Sequence, residues 1–308
     1  EDWRESATTR AVIFGTLHKD ATLLLMKLLE ESGLVSYVGK VNMDRNSPEY
    51  LTEHTAEESL QNTRDWLSEI PKDWRNCKPI LTPRFTPTCS DALMEGLGKL
   101  AKEYKLPVQS HLSENLGEIA WVKELCPDAK HYGDTYDRYG LLGNSIMAHC
   151  VYTEGDELSA LKARGTTICH CPQSNTNLCS GAAPIRHFLE ENVKVGLGTD
   201  VAGGANLSML RAITDAISVS KLRFRLMDQS LAPLTLEEAF CLATLSGGSF
   251  FGKVGSFLPG YEADALVFHE KRRSVRKQTV KERLEVLLYT GEESARLQAK
   301  FVQGRQLF

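Results

Sequence analysis

The sequence predicts an α/β protein built on a parallel sheet, and three observations carry that expectation. Short apolar, β-branched segments alternate with helical ones along most of the chain. The strand-like segments run apolar on both faces, as strands covered by helices on each side must. Each of them closes in polar residues. At 308 residues the chain exceeds one core of ordinary size, so one large domain or two domains are expected.

Strands are expected at 10–15, 35–43, 78–85, 106–111, 145–151, 165–171 and 194–199. Between them the helices have readable starts. Thr55 and Glu58 have capping-box spacing, and that helix stops before Pro71. Ser90 caps a helix whose Leu93, Leu97, Leu100 and Tyr104 recur at helical spacing. A further helix runs from Thr153 to Gly165, and Thr235 with Glu238 opens one that ends at Gly247-Gly248. From about Val254 the texture changes. A strand over 263–268, a basic stretch, a last strand over 298–302 and a turn at Gly304 read as hairpin chemistry.

Seven βα units suit a (β/α)8 barrel with one strand not in the chain. A doubly wound sheet would place a G-x-G-x-x-G turn between a strand and a helix. Gly196-Leu197-Gly198 comes nearest, but Val201 takes the third glycine's place, and Gly96-Leu97-Gly98 falls within a helix. The expected division is a barrel at 1–253 and a small β appendage at 254–308.

Apolar residues at 42% and charged residues at 25% are ordinary for a globular protein. A net charge of −4 argues against a nucleic-acid groove or an anionic membrane surface. The longest apolar run, 21–29, contains Lys27 and is far short of the roughly 20 residues that a membrane span needs. Eight cysteines without a Cys-x-x-Cys pair read as buried, reduced thiols of a cytoplasmic protein. Cys169-His170-Cys171 sends both thiols to one face of a strand but lacks zinc-knuckle spacing.

A barrel puts its chemistry at the C-terminal ends of its strands. Arg84, His111, His149, His170 and Asp200 close successive strands, and Glu114 follows His111 by three positions. Imidazoles and carboxylates converging on one rim are what a metal hydrolase needs. Neutral histidine nitrogens and a hard carboxylate suit Zn²⁺ or Fe²⁺, and a second carboxylate can shuttle protons. Each residue also has a plain structural reading. Asp200 could cap the helix that follows, and Glu114 could be a first-turn carboxylate answering the helix dipole. His18 is expected in a loop contact, and His54, His131, His187 and His269 in solvent.

The strings Val108-Gln109-Ser110-His111-Leu112-Ser113-Glu114-Asn115, Met147-Ala148-His149 and Gly196-Leu197-Gly198-Thr199-Asp200-Val201-Ala202-Gly203-Gly204 resemble the amidohydrolase superfamily, and more narrowly its guanine deaminases. Thr82-Pro83-Arg84-Phe85, the segment from Tyr37 to Asp44 and Gly260-Tyr261-Glu262-Ala263-Asp264-Ala265 are similar too, so the resemblance covers essentially the whole chain. It implies that 1–253 are a metal-dependent barrel and 254–308 part of a small β-sandwich. It implies further the metal-dependent hydrolysis of guanine to xanthine and ammonia, by a cytoplasmic homodimer with one Zn²⁺ (or Fe²⁺) per protomer. It also implies the roles. His111 and Asp200 would ligate the metal, with Asp200 also taking the water proton. Glu114 would relay that proton, and His149 would polarise the reacting centre and touch the substrate. Arg84 would be a buried guanidinium facing the purine carbonyl, with Phe85 beside it in the pocket. In the family a His-x-His pair ends the first strand, and no such pair occurs here. The resemblance therefore places strand one and half of the β-sandwich upstream of Glu1. Two alternatives stand beside this reading: a sibling amidohydrolase acting on another aminopurine, a pyrimidine or a triazine, and an inactive fragment that only associates with a partner copy.

Overall fold

A computed structural model describes residues 2–271 and 275–308; part of the basic stretch, 272–274, lies outside the described residues. The chain forms two compact units: Ala11–Ile168 with Asn192–Lys194, and Glu1–Arg10 with Cys169–Glu191 and Val195–Phe308.

In the unit containing Ala11–Ile168, the strands are β1 (Arg10–Phe14), β2 (Val35–Gly39), β3 (Val41–Asn42), β4 (Cys77–Pro79), β5 (Thr82–Pro83), β6 (Val108–Leu112) and β7 (Ser145–His149). The order β1-β2-β4, the parallel pair β3-β5 and the parallel pair β6-β7 are βα pairings, as the apolar runs require. Two expected strands are each broken in the middle. The 35–43 segment breaks at Lys40, whose fully buried ammonium turns to Glu53 Oε1 (2.7 Å) and to the Val41 carbonyl (3.2 Å). Burial pushes the Lys40 ammonium below its usual range, and the Glu53 charge pulls it back only in part. The 78–85 segment breaks at Ile80 and Leu81, where Leu81 bridges to Val108 before β5 takes up β3.

Helices cover these strands much as the capping signals foretell. Thr55 accepts from the Glu58 amide at the start of Ala56–Glu69, although Glu58 reaches back to the His54 amide (2.9 Å), not to Thr55. Ser90 accepts from the Leu93 amide, and Leu93, Leu97 and Leu100 of Asp91–Tyr104 are buried while Tyr104 is exposed. The next expected helix is Gly155–Arg164, ended by Gly165 in the left-handed region.

The other unit holds the end of β8 (Thr167–His170) and most of β9 (Lys194–Leu197), then β10 (Ala265–Glu270), β11 (Ala295–Val302) and β12 (Arg305–Gln306). The last three form an antiparallel sheet in the order β10-β11-β12. Gln303 and Gly304, both at positive φ, make its tight turn. Thr235 and Glu238 complete a reciprocal capping box, as expected. Where the sequence reading expects a hairpin, the helix Val280–Thr290 lies between β10 and β11 and opens on its own capping box of Thr279 and Glu282. Lys300 is wholly buried, and its ammonium donates to the carbonyls of Trp3 (3.3 Å), Arg4 (2.6 Å) and Thr8 (3.0 Å).

The protein is thus α/β, with parallel sheets and a C-terminal antiparallel sheet. Among the described residues no helix is long and apolar enough to cross a membrane. All eight cysteines are outside disulfides, but only five are buried: Cys169 and Cys241 are half-buried, and Cys179 is exposed just past the short helix Pro172–Asn177.

Candidate active site

The first cluster grows from the ends of β5, β6 and β7. Ser110, buried in β6, donates to the carbonyls of Pro83 (2.7 Å) and Arg84 (3.1 Å), which ties the end of β5 to β6. The Tyr136 hydroxyl donates to the His111 carbonyl (2.8 Å) from the short helix Asp134–Asp137. With its backbone so held, His111 sets Nδ1 2.7 Å from the Arg84 carbonyl. A carbonyl only accepts, so in the neutral ring Nδ1 carries the proton and Nε2 the lone pair. The imidazole lies against Phe14 (centroids 4.6 Å apart) and stacks on His149 at 5.3 Å and 17°.

His149 is the last residue of β7, almost fully buried and at φ 73°, in the left-handed region where a side-chain-bearing residue is strained by about 1 kcal/mol or more. Its Nε2 lies 3.7 Å from Glu114 Oε2. Glu114 follows Ser113, which leaves the strand at φ 48° while its hydroxyl donates to Glu157 (2.8 Å). The first-turn reading of Glu114 does not hold. The helix is Leu116–Leu125, Asn115 caps it, and Glu118 occupies the first turn. Burial pushes the Glu118 carboxyl up, against the Tyr132 hydroxyl that holds it down, and the Glu114 charge adds to the rise.

Arg84 departs from expectation. Its side chain is exposed, not buried, and no described carboxylate pairs with it. The guanidinium lies over the Phe85 ring at 4.9 Å, and that ring meets Trp121 edge-on at 6.2 Å. The Arg84 backbone carbonyl, just past β5, and not its side chain, is what engages His111.

The second cluster lies in the other unit. His170 ends β8 and is buried, with its carbonyl accepting from the Gly198 amide (2.9 Å). Asp200 sits half-buried at φ 47° and does not cap the next helix; Ser208 caps Met209–Leu226. Two glycines permit its loop. A Cβ on Gly203 would stand 2.7 Å from both Asp200 Oδ2 and Ser174 Oγ, and one on Gly204 would stand 2.0 Å from the Thr199 carbonyl. Asn177 holds the loop through the Gly203 carbonyl (2.8 Å).

Of the other histidines, His54 and His269 are exposed as expected and His187 is half-buried. His18 stands exposed at the N-cap of Lys19–Ser32. His131 is not solvated; its Nδ1 accepts from the Asp134 amide (3.1 Å) and lies 3.9 Å from buried Glu157. Tyr136, Glu157 and Trp121 were not foreseen. Tyr136 and Trp121 carry no local signal, and Glu157 reads on sequence as an ordinary helix carboxylate.

Among the described residues no group of three or more His, Cys, Asp and Glu side chains is arranged to hold a metal ion. His111 nonetheless fits a ligand, because an imidazole whose Nδ1–H is anchored on a carbonyl presents Nε2 in a fixed direction.

Residues 4–293 match the family model described as "Amidohydrolase family". Mouse guanine deaminase is 44% identical over 274 residues, which cover 87% of this chain and 60% of that protein. The guanine deaminase of Dictyostelium discoideum is 37% identical over 310 residues, 97% of this chain and 68% of that protein. The chain thus spans about 60% of the length of the mammalian relatives it matches. A crystal structure of guanine deaminase from C. acetobutylicum, with guanine bound in its active site, superposes at a TM-score of 0.95 and 44% identity. That match covers 100% of this chain and 73% of the other. The chain belongs to the amidohydrolase family and groups within it with the guanine deaminases.

Proposed function

We propose that the protein hydrolyses guanine to xanthine and ammonia. The observation that carries this reading is the likeness, over the whole chain, to a guanine deaminase solved with guanine in place. On this reading β1 to β9 make up seven of the eight strands of a (β/α)8 barrel within 1–253, and 254–308 supply part of a β-sandwich. The same kinship suggests a cytoplasmic homodimer with one Zn²⁺ or Fe²⁺ per protomer.

His111 and Asp200 are the metal ligands we assign to this chain. A divalent cation held there supplies the Lewis acidity that lets water ionise near neutral pH. Asp200 takes the water proton. Glu114, beside His149, relays that proton to a ring nitrogen of the purine as oxygen adds to the carbon bearing the amine. Glu114 then carries the proton that the added hydroxyl gives up, as it becomes the new carbonyl, to that amine as the carbon–nitrogen bond breaks and ammonia departs. His149 donates to the oxygen at the tetrahedral carbon; its burial and its stack on His111 leave it little freedom to turn. Arg84 and Phe85 hold the purine.

The direct test is to assay the protein with guanine, adenine and cytosine. Turnover of cytosine or adenine in preference to guanine would favour a sibling amidohydrolase, and none with any of them an inactive chain. Two substitutions probe the site. His111→Ala should remove the metal, since Asp200 is then the single assigned ligand left and holds a catalytic ion poorly, and full occupancy by elemental analysis would contradict the assignment. Arg84→Ala should lower kcat/KM for guanine by about 10- to 10²-fold with metal content unchanged, because a charge-assisted hydrogen bond to a carbonyl is lost. Unchanged kinetics would mean that Arg84 only rests on Phe85.

A further inference from the structure

Two thiols at the end of β8 have no part in the chemistry above. Cys169 and Cys171 flank His170, and their positions two apart in extended chain put both side chains on one face. Their sulfurs stand 3.9 Å apart and form no disulfide. Cys169 is half-exposed, which gives a path from solvent, while Cys171 is buried. Gly198 backs the pair. A Cβ there would come 2.6 Å from the Cys169 sulfur and 3.1 Å from the Cys171 sulfur, so any other residue would push the thiols aside.

Two thiolates on one tetrahedral ion, each bonded at about 2.3 Å, stand roughly 3.8 Å apart. The spacing in this strand is that bite, present before any ion arrives. Sulfur donors select soft cations over the hard ones that carboxylates prefer. We propose that Cys169 and Cys171 form a chelating site for a thiophilic d10 cation of the zinc, cadmium or copper(I) class, separate from the metal assigned to His111 and Asp200. Binding makes two metal–sulfur bonds, breaks two S–H bonds and releases two protons, with no change in oxidation state. Gly198 lies two residues before Asp200, so an ion between the sulfurs bears on the loop that carries that carboxylate.

The probe is Cd²⁺, titrated into the reduced protein and followed by thiolate-to-metal charge-transfer absorption and by proton release. The band should saturate at about one ion per chain with about two protons released. Cys169→Ser and Cys171→Ser should each weaken this binding at least tenfold. His111→Ala and Cys179→Ser should leave it intact, which distinguishes the pair from the hydrolytic site and from the exposed thiol. If Cys171→Ser does not fold, the half-exposed Cys169→Ser decides alone. A parent protein without the band, or a Cys169→Ser protein weakened less than tenfold, overturns the proposal.

Discussion

Glu114→Gln should keep its metal and lose turnover of guanine by about 10²-fold or more. The amide preserves the shape and reach of the side chain that faces His149 but cannot carry a proton between water, ring nitrogen and leaving amine. KM should change little, because glutamine still accepts and donates hydrogen bonds. A charge at this position serving only the helix is already disfavoured, since Asn115 caps that helix and Glu118 fills its first turn. Such a structural role would cost a few tenths of a kcal/mol in stability and nothing in kcat. The decisive pair of measurements is single-turnover rate and metal content on the same preparation. A near-normal rate with full metal would remove Glu114 from proton transfer.

Glu53→Ala should destabilise the protein by roughly 3–5 kcal/mol, because it strands a buried ammonium. Lys40 and Glu53 are almost wholly out of solvent, at 0% and 4% side-chain exposure, and face each other at 2.7 Å. Burial outweighs attraction at Lys40, whose ammonium lies below its usual range. The double variant Lys40→Met/Glu53→Leu should therefore regain most of the loss, since apolar groups of similar volume carry no desolvation cost. The pH dependence follows from the same direction. Between the lowered folded value and the ordinary value of 10.5, the unfolded chain holds the extra proton. Stability from this lysine alone thus rises as pH climbs through that window. Urea midpoints of the parent and the two variants settle it. A Glu53→Ala cost below about 1 kcal/mol would show that the pair is not a buried charged contact.

Much of this was legible because the signals are local. Ser90 and Thr235 announce helices by geometry that depends on four residues, and His111, His149, His170 and Asp200 stand at strand ends that apolar runs reveal. What stayed hidden depends on distant partners. Lys40 looks like a polar tip within a strand until Glu53 comes to meet it, and the 78–85 segment breaks only because Leu81 exchanges neighbours. Arg84 was expected to be buried from kinship, yet exposure depends on packing that no motif records. The helix Val280–Thr290 has capping-box spacing in Thr279 and Glu282, but the basic residues before it and the strand segments on either side read together as hairpin chemistry.

The three carbonyls gathered by the Lys300 ammonium belong to residues 3, 4 and 8, so one compact unit is sewn from segments 292 to 297 residues apart in sequence. During synthesis residues 3 to 8 emerge long before Lys300 exists. At about 5–20 residues per second the wait is on the order of 15–60 s. The helix Asp2–Glu5 buries none of its residues and is far below the length at which an isolated helix holds in water. The segment from Ala11 to Ile168 is made well before Lys300 and can begin to fold on the ribosome, whereas the unit closed by Lys300 can finish only once residue 300 has been made. A nascent chain arrested before residue 300 should therefore expose residues 3 to 8 to proteases while much of the Ala11–Ile168 segment is already protected.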